Sequence, residues 1–477
     1  MGRLIQKEES IQQRLWQYRA ILEQNPPHLQ ALEKSIARQN GLSDYDRIFL
    51  HIFAPSVTSF AKWALDKAHS LGIRRLYFLA RDGWLLQYAA EILAEDAGYD
   101  FEMRYLKVSR YSLRRAQYRL LGEKCVELIC IGGIDISFQK MMKRAALTEE
   151  EARHVAELAG FGEQYLTPLN YTQIQELKKV LAGIPAFLEY VRIHSEECYD
   201  NTIGYLTQEG MLEEIPYALV DSGWTGTIQM SLQQLVSAAL GRERKMEGFY
   251  FGLYELPPKA EPGRYHGYYL TPKKGIRRKV KFSVCLFETV CSSPAGMTLG
   301  YEKKGERYLP RENGRGNPNQ KTMERNRELL GQYLHAYTGC LRCGSRNHDV
   351  LFFDFFWGFF KGVQEDTAFV EKLLKLCMGT PVKEEALLLG ELLFCDDVLE
   401  LQLQKVAADW GISEIKNQRF ISKILIKLNR KKEKLKESGW PEGSIAKAGG
   451  TVRGNLRQER MYKYFMYVRK ALCKSGT

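Results

Sequence analysis

Two short apolar segments joined by a helical pattern limit the fold of this 477-residue chain more than any other part of its sequence. Residues 75–80 form a nearly continuous apolar run, which is typical of a strand buried on both faces. After Gly83 the apolar side chains recur at the helical period, and residues 103–108 predict a second strand. Two strands that are joined by a crossover helix pair in parallel. The segment therefore predicts a βαβ unit and an α/β fold.

The same pattern returns after a long interruption. Residues 217–221 predict a strand, which is followed by a helix at about 228–240 and a further strand at 246–254. The intervening residues 135–212 are rich in Glu, Lys, Ala and Leu, and they predict only helices. We therefore predict a Rossmann-like, mostly parallel sheet with a helical insertion, followed by a mainly helical C-terminal region.

The chain is too long for a single ordinary core, because domains usually contain about 100–200 residues. The polar residues 303–319 include prolines and glycines that indicate a loop or linker. The predicted units are N-terminal helices at 1–40, an α/β core at 41–134 and 213–300, the helical insertion at 135–212, a linker at 301–319, a helical domain at 320–415 and a basic tail at 416–477.

Positive charge is concentrated in the predicted tail. From Lys416 onward the sequence contains 17 Lys and Arg against 4 Glu, a net +13, so the first 415 residues carry about −1 of the total +12. Bases and aromatic residues alternate at 461–470, which suits a helix on an anionic membrane surface or a helix that packs its aromatic residues on the core. Nucleic acid is not favoured as a partner, because the first 415 residues have no net positive charge.

The N-terminal residues lack the apolar segment of a signal peptide, and no stretch approaches the roughly 18 uncharged apolar residues of a membrane span. The ten cysteines are scattered and include apolar settings such as that of Cys130, which suits reduced thiols. These patterns predict a cytoplasmic protein, and one that is peripheral on the inner face of the membrane if the tail binds lipid.

Arg81, Asp82 and Gly83 follow the first predicted strand, at the sheet edge where open α/β folds bind ligands. Gly83 allows close approach of the backbone, Arg81 can bind phosphate, and the start of a helix favours an anion. Asp82 can ligate Mg²⁺ or act as an acid or base. The alternative is that Asp82 only caps the helix and pairs with Arg81.

A second predicted turn begins at Asp221 and contains Gly223, Thr225, Gly226 and Thr227. Its backbone N–H groups and hydroxyls suit a phosphate, although it lacks the Gly-Lys-Ser/Thr ending of a P-loop and the G-x-G-x-x-G of a dinucleotide site. The alternative is a tight turn in which one threonine caps the following helix.

Two further segments contain candidate site residues. Ser109 and Arg110 follow the second strand and can bind a phosphate, or they form the basic, solvated start of a helix. Glu288 lies in an apolar run, so it needs a partner, either as an acid or base or as the mate of an arginine. We therefore predict Asp82, Asp221 and Glu288 as catalytic residues, with Asp82 and Asp221 as Mg²⁺ ligands.

One metal-like spacing remains. His335, Cys340, Cys343 and His348 supply the four ligands of a structural zinc, but a lone C-x-x-C is a weak signal. Whether they bind zinc stays open.

Four segments taken together resemble the C-terminal region of large predicted hydrolases of the haloacid dehalogenase (HAD) superfamily, which are associated with capsule and O-antigen synthesis in bacteria. They are Tyr-Phe-Leu-Ala-Arg-Asp-Gly at 77–83, Tyr-Leu-x-x-Ser-Arg at 105–110, Val-Asp-x-Gly-Trp-x-Gly-Thr at 220–227 and Phe-Glu-(x4)-Ser-Pro-x-Gly at 287–296. The resemblance implies a phosphate-handling enzyme of surface-polysaccharide synthesis whose ligand is a phosphorylated sugar or nucleotide sugar.

The sequence departs from the HAD pattern at one position. The nucleophile motif of that superfamily is Asp-x-Asp-Gly-Thr, and Ala80 stands here where the nucleophilic aspartate belongs. Residues 220–227 also resemble a shortened phosphoribosyltransferase loop, with residues 79–83 in place of its pyrophosphate loop. The alternatives are thus a phosphoribosyltransferase-like enzyme and a non-catalytic, membrane-associated scaffold of a glycan-synthesis complex.

Overall fold

The computed structural model describes residues 9–132, 136–272, 274–344, 367–395, 402–428, 433 and 435–475. All the strand pairs of its main sheet are parallel, and the spatial order is β2-β1-β3-β4-β5. The predicted Rossmann-like α/β fold is therefore confirmed. The five strands are β1 (Arg75–Leu79), β2 (Glu102–Leu106), β3 (Tyr217–Trp224), β4 (Glu247–Leu253) and β5 (Tyr265–Leu270).

Helices surround this sheet and form most of the rest of the described chain. The helix Asp44–Ser70 contains one π-helical turn at Phe49–Phe53. The helices are Ile11–Leu22, Pro26–Ala37, Asp44–Ser70, Gly83–Ala97, Arg110–Leu121, Val126–Ile129, Phe138–Arg144, Glu149–Leu158, Tyr171–Ala182, Pro185–Gln208, Thr227–Leu240, Ile276–Lys279, Val284–Cys291, Gln320–Gly344, 367–379, Lys383–Gly390, Ile412–Asn417, Phe420–Lys427, Pro441–Ala448 and Val452–Ser475.

Both faces of the sheet are buried, which explains the continuous apolar runs of its strands. Successive residues of β1 point to opposite faces, so Leu76 and Phe78 join one core with the helices Asp44–Ser70 and Gly83–Ala97. Tyr77 joins a second core, which the helices Arg110–Leu121 and Thr227–Leu240 cover. The helices on both faces make this a doubly wound sheet.

The predicted helical insertion is helical and has a core of its own. Phe138, Tyr165 and Phe187 are buried together in that core, away from the two cores of the sheet. The predicted N-terminal helices are also confirmed, since Pro26 begins the second helix of a pair.

The predicted linker at 301–319 is wrong over residues 301–312, whereas residues 313–319 contain no helix or strand. Residues Thr298–Lys304 and Arg307–Glu312 form an antiparallel hairpin, β6 and β7. Its side chains alternate between solvent and the helix Pro185–Gln208, where the ring of Tyr301 stacks on that of Tyr205 at 4.3 Å. The hairpin is polar because only one of its faces is covered.

The helix Asp44–Ser70 is long and apolar enough by composition to cross a membrane, contrary to the expectation that no such stretch exists. However, 89% of its most apolar 18-residue window is buried inside the protein. Burial in the core accounts for this composition. The eight cysteines whose side chains are described form no disulfide bond with one another.

The predicted basic tail folds onto the body of the protein. Trp440 is fully buried, and its indole N–H donates to the backbone carbonyl of Met378 at 2.8 Å. The ring of Tyr467 stacks on that of Tyr254 at 6.0 Å, just beyond the end of β4. One face of the helix Val452–Ser475 is thus packed against the core, as the alternative interpretation of the tail predicts.

Candidate functional site

The carboxyl ends of β1 and β3 meet at the centre of the sheet, and two acidic side chains lie there. The strands are parallel neighbours with Phe78 opposite Val220, so the residues after β1 come close to Asp221. In the order β2-β1-β3-β4-β5, the strand that follows β1 lies on one side of the β1–β3 pair, and the strand that follows β3 lies on the other side. Ligands of open α/β sheets bind at such a switch point.

Ser222 joins the two acids. Its hydroxyl donates to Asp82, and its backbone N–H donates to the carboxylate of Asp221 at 2.9 Å. All three residues are buried. Asp82 stands at the N-cap position of the helix Gly83–Ala97, but its side chain makes no capping hydrogen bond. The alternative that Asp82 is only a helix cap is therefore wrong.

The surroundings of the two acids favour their protonated forms. Burial raises the pKa of Asp82 to about 7, and the charge of Glu288 adds to this shift, against the hydrogen bond from Ser222 and the charges of Arg81 and Arg110. Burial likewise raises the pKa of Asp221 well above its usual range, followed by the charges of Asp82 and Glu288. Near neutral pH the site therefore favours a protonated carboxyl or a bound cation over two charged carboxylates.

Glu288 lies on the helix Val284–Cys291 and accepts a hydrogen bond from the indole N–H of Trp224 at 2.7 Å. Trp224 ends β3 and packs against Phe282 and Phe287, with ring centroids 5.0 and 5.9 Å away. The alternative that Glu288 is the mate of an arginine is wrong, because its hydrogen-bond partner is the indole of Trp224. The indole is a neutral donor, and no ion pair engages Glu288 among the residues that the structure describes.

A cavity of about 150 Å³ opens beside these groups. Arg81, Glu288 and Ser292 line it at the strand ends, and residues 315–319 and Phe394 line its other side. Ser292 is buried, and its hydroxyl has no hydrogen-bond partner among the described residues. A buried hydroxyl without a partner is costly, so it points to a ligand or water in the cavity.

Strand β3 continues to Trp224, so Asp221, Ser222 and Gly223 belong to the strand and not to a phosphate-binding turn as predicted. Polar residues continue the strand because β4 still offers backbone partners beside them. Gly223 lies so close to Gly252 of β4 that a β-carbon on it would stand 2.0 Å from the Gly252 carbonyl oxygen.

Only Thr225 and Gly226 separate β3 from the helix that begins at Thr227. No side chain caps this helix, so the alternative of a threonine cap is wrong. Within the described part of the chain, neither threonine hydroxyl has a hydrogen-bond partner, and a phosphate at this helix start stays a prediction. The cavity lining does not include Thr225, Gly226 or Thr227.

The two candidate residues after β2, Ser109 and Arg110, have different surroundings. The hydroxyl of Ser109 accepts from the N–H of Ser112 at 2.9 Å and donates to the carbonyl of Thr298 at 2.7 Å. Ser109 is therefore engaged as a helix cap, which agrees with the alternative of a helix start. Arg110 is exposed, and its positive charge lowers the pKa of Asp82.

Gly83 was predicted to allow close approach of the backbone. It packs so closely on Phe78 that a β-carbon on Gly83 would lie 2.6 Å from the carbonyl carbon of Phe78.

The described residues contain no group of three or more His, Cys, Asp or Glu side chains placed to hold a metal ion. His335 is exposed, whereas Cys340 is buried and accepts a hydrogen bond from Lys34, and the side chains of Cys343 and His348 lie outside the described residues. Magnesium has other requirements, since it takes one or two carboxylates together with water and phosphate oxygens. Two buried carboxylates that repel each other fit that donor set.

Neither protein-family models nor curated proteins give a match to this chain. The functional inference therefore depends on the site geometry and on the resemblance of its motifs. Three residues of the site were not predicted as site residues: Ser222, Trp224 and Ser292. Ser222 and Trp224 donate hydrogen bonds to predicted acids, and Ser292 lines the cavity with Glu288.

Proposed function

We propose that this protein is a phosphate-handling enzyme that acts on a sugar phosphate or nucleotide sugar in bacterial surface-polysaccharide synthesis. The observation that carries the proposal is the pair Asp82 and Asp221, buried and proton-retaining at the switch point, beside a cavity lined by Arg81 and Glu288. Perturbed acids next to a cavity are typical of active sites. The resemblance to HAD-type proteins supports the substrate class.

Each residue has a distinct role in this proposal. Arg81 binds the phosphate through its guanidinium, and the hydroxyl of Ser292 orients the sugar. Glu288 takes the proton of the attacking water or acceptor hydroxyl as that oxygen bonds to the electrophilic centre and the bond to the leaving oxygen breaks. While no Mg²⁺ is bound, protonated Asp82 is the nearby source of a proton for the leaving group. Because Ala80 replaces the HAD nucleophile, no phosphoaspartyl intermediate is proposed.

Asp82 and Asp221 are also the residues that would hold Mg²⁺. Bound there, the ion would neutralise phosphate charge. Its binding would displace the proton that the two carboxyls retain, so the affinity is expected to rise with pH.

The test of the proposal is a thermal-shift screen of sugar phosphates and nucleotide sugars, with and without Mg²⁺. At least one compound is expected to raise the melting temperature by a few degrees. A Ser292→Ala variant should melt at or above the wild-type temperature, because it removes an unpaired buried hydroxyl, yet respond less to that compound. No response from either compound class would contradict the proposal.

Replacing Glu288 with glutamine is expected to lower turnover of the responding compound at least about 100-fold, because proton transfer contributes roughly 10²–10⁴ to such reactions. The amide oxygen of glutamine can still accept from the Trp224 indole, so the melting temperature should hardly change. Phosphate or nucleotide release measures turnover. The matched control is Glu163→Gln, which alters an exposed carboxyl far from the site. Turnover within threefold of wild type would remove Glu288 from the mechanism.

A phosphoribosyltransferase-like reaction is the second candidate. The uncapped helix start at Thr227 supports it, because a phosphate fits such a position. One feature weakens it, since neither Thr225 nor Thr227 lines the cavity. Phosphoribosyl pyrophosphate in the same screen distinguishes the two. A response to this compound alone would favour the second candidate.

A further inference from the structure

The helices Phe420–Lys427 and Val452–Ser475 each expose a row of apolar side chains. In the helix Val452–Ser475 the row follows the spacing i, i+3, i+4 and i+7, which places its members on one face. In the other helix the row consists of Ile421 and the C-cap residue Leu428, which are seven positions apart. Ile421 is 69% exposed and Tyr464 is 45% exposed. We call the exposed members of both rows the C-terminal apolar stripe: Ile421, Leu428, Met461, Tyr464, Phe465 and Val468.

The two helices are fixed to each other and to the protein body. Lys423 and Glu459 form a buried ion pair at 2.8 Å, and the rings of Phe420 and Phe465 meet edge to face at 5.8 Å. The opposite face of the helix Val452–Ser475 buries Leu456 and Tyr462. The helix Val452–Ser475 thus already packs one face on the protein body, and the C-terminal apolar stripe lies on its other, exposed face.

Exposed bases surround the C-terminal apolar stripe. No ion pair engages them within the described part of the chain: Lys416, Arg419, Lys427, Arg453, Arg457 and Arg469. Of the four glutamates of the tail, Glu442 and Glu459 are buried and paired with Lys463 and Lys423, whereas Glu433 and Glu437 are exposed. The surface therefore combines unpaired positive charge with exposed apolar side chains.

We propose that the C-terminal apolar stripe and its flanking bases dock this protein on an anionic lipid bilayer. Apolar side chains enter the headgroup boundary while Lys and Arg contact acidic lipids, as in interfacial amphipathic helices. A second copy of the chain would meet the same positive charge and be repelled. Nucleic acid would pair its phosphates with the bases, but it would leave apolar side chains such as Ile421 and Val468 exposed to water. The proposal does not depend on the proposed reaction.

The test is co-sedimentation of the full chain with vesicles of phosphatidylcholine alone or with about 30% phosphatidylglycerol. Wild-type protein should bind the anionic vesicles at least about tenfold better, and binding should fall as salt rises towards about 0.5 M. The variant Ile421→Glu with Tyr464→Glu should lose at least about tenfold in affinity for them. Its matched control is Leu166→Glu with Tyr171→Glu, two residues that are 65% and 77% exposed on the helical insertion.

Wild-type protein that stays in the supernatant, or a stripe variant that binds as well as wild type, would overturn the proposal. Stronger retention by duplex DNA than by anionic vesicles would overturn it as well. Melting curves check that both double variants are folded. A Tyr464→Trp variant provides a second measurement, because its added fluorescence should shift to the blue with anionic vesicles if the stripe enters the bilayer. No shift would count against docking even if the glutamate variants failed to fold.

Discussion

An Asp82→Asn variant is expected to melt about 5 °C above the wild-type protein near pH 8.5, yet to lose the Mg²⁺-dependent response to phosphorylated ligands. In the folded protein Asp82 keeps its proton up to a pKa of about 7, whereas the unfolded chain loses it near 3.8. Raising the pH through this window therefore destabilises the folded state, by about 4 kcal/mol for this one group. Asparagine carries no charge and avoids the cost.

The difference between the two proteins should nearly vanish below about pH 4, where Asp82 is protonated in both states. Asparagine can still accept the hydrogen bond from Ser222, so local packing is kept. Melting curves over this pH range measure the effect. The control is Asp100→Asn, which alters an exposed aspartate without an ion pair among the described residues. Parallel pH curves for wild type and Asp82→Asn would contradict the raised pKa.

A Gly223→Ala variant is expected to lose about 4 kcal/mol of unfolding free energy. Gly223 has a φ of +136° and faces Gly252 across the β3–β4 pair, where an added β-carbon would stand 2.0 Å from a backbone oxygen. Neither backbone can yield without separating the strands. Because Gly223 lies between Ser222 and Trp224, the same shift would disturb the hydrogen bonds to Asp82 and Glu288.

The control for this variant is Gly241→Ala. Gly241 has a φ of +65°, but no atom lies within 4 Å of the position of an added β-carbon. Backbone strain alone should then cost about 1–2 kcal/mol. Urea unfolding of both variants measures the two losses of unfolding free energy. Their difference gives the cost of the contact between the added β-carbon and Gly252, apart from the cost of backbone strain. Equal losses in the two variants would show that the approach of Gly223 to Gly252 does not hold the strands together.

Four of the five strands of the main sheet could be predicted from the sequence. In β1, β3 and β4, burial on both faces leaves a nearly continuous apolar run such as Arg75–Leu79. The strand β5 could not be predicted, since a histidine and a glycine interrupt the apolar pattern of its residues Tyr265–Leu270. The hairpin β6 and β7 was missed for a related reason. Its polar face is solvated, so its composition is that of a loop.

The predicted acids were located by their position after apolar runs, and Asp82 indeed follows a strand at the predicted edge. The hydrogen bonds that engage these acids could not be predicted. The hydrogen bond from Ser222 to Asp82 and the one from Trp224 to Glu288 arise only when distant segments pack. Strand pairing also extended β3 beyond Asp221, because the backbone of β4 continues alongside it.

The cavity takes its lining from residues as far apart in the chain as Arg81 and Leu403. A ribosome that adds about 5–20 residues per second needs roughly 15 to 60 s to make the intervening polypeptide. During that interval β1 to β4 can pair and bury the core that contains Tyr77, whereas the core on the opposite face still lacks later residues such as Tyr333 and Trp440. Nascent chains of this protein should therefore be folded at their centre well before they can hold a ligand.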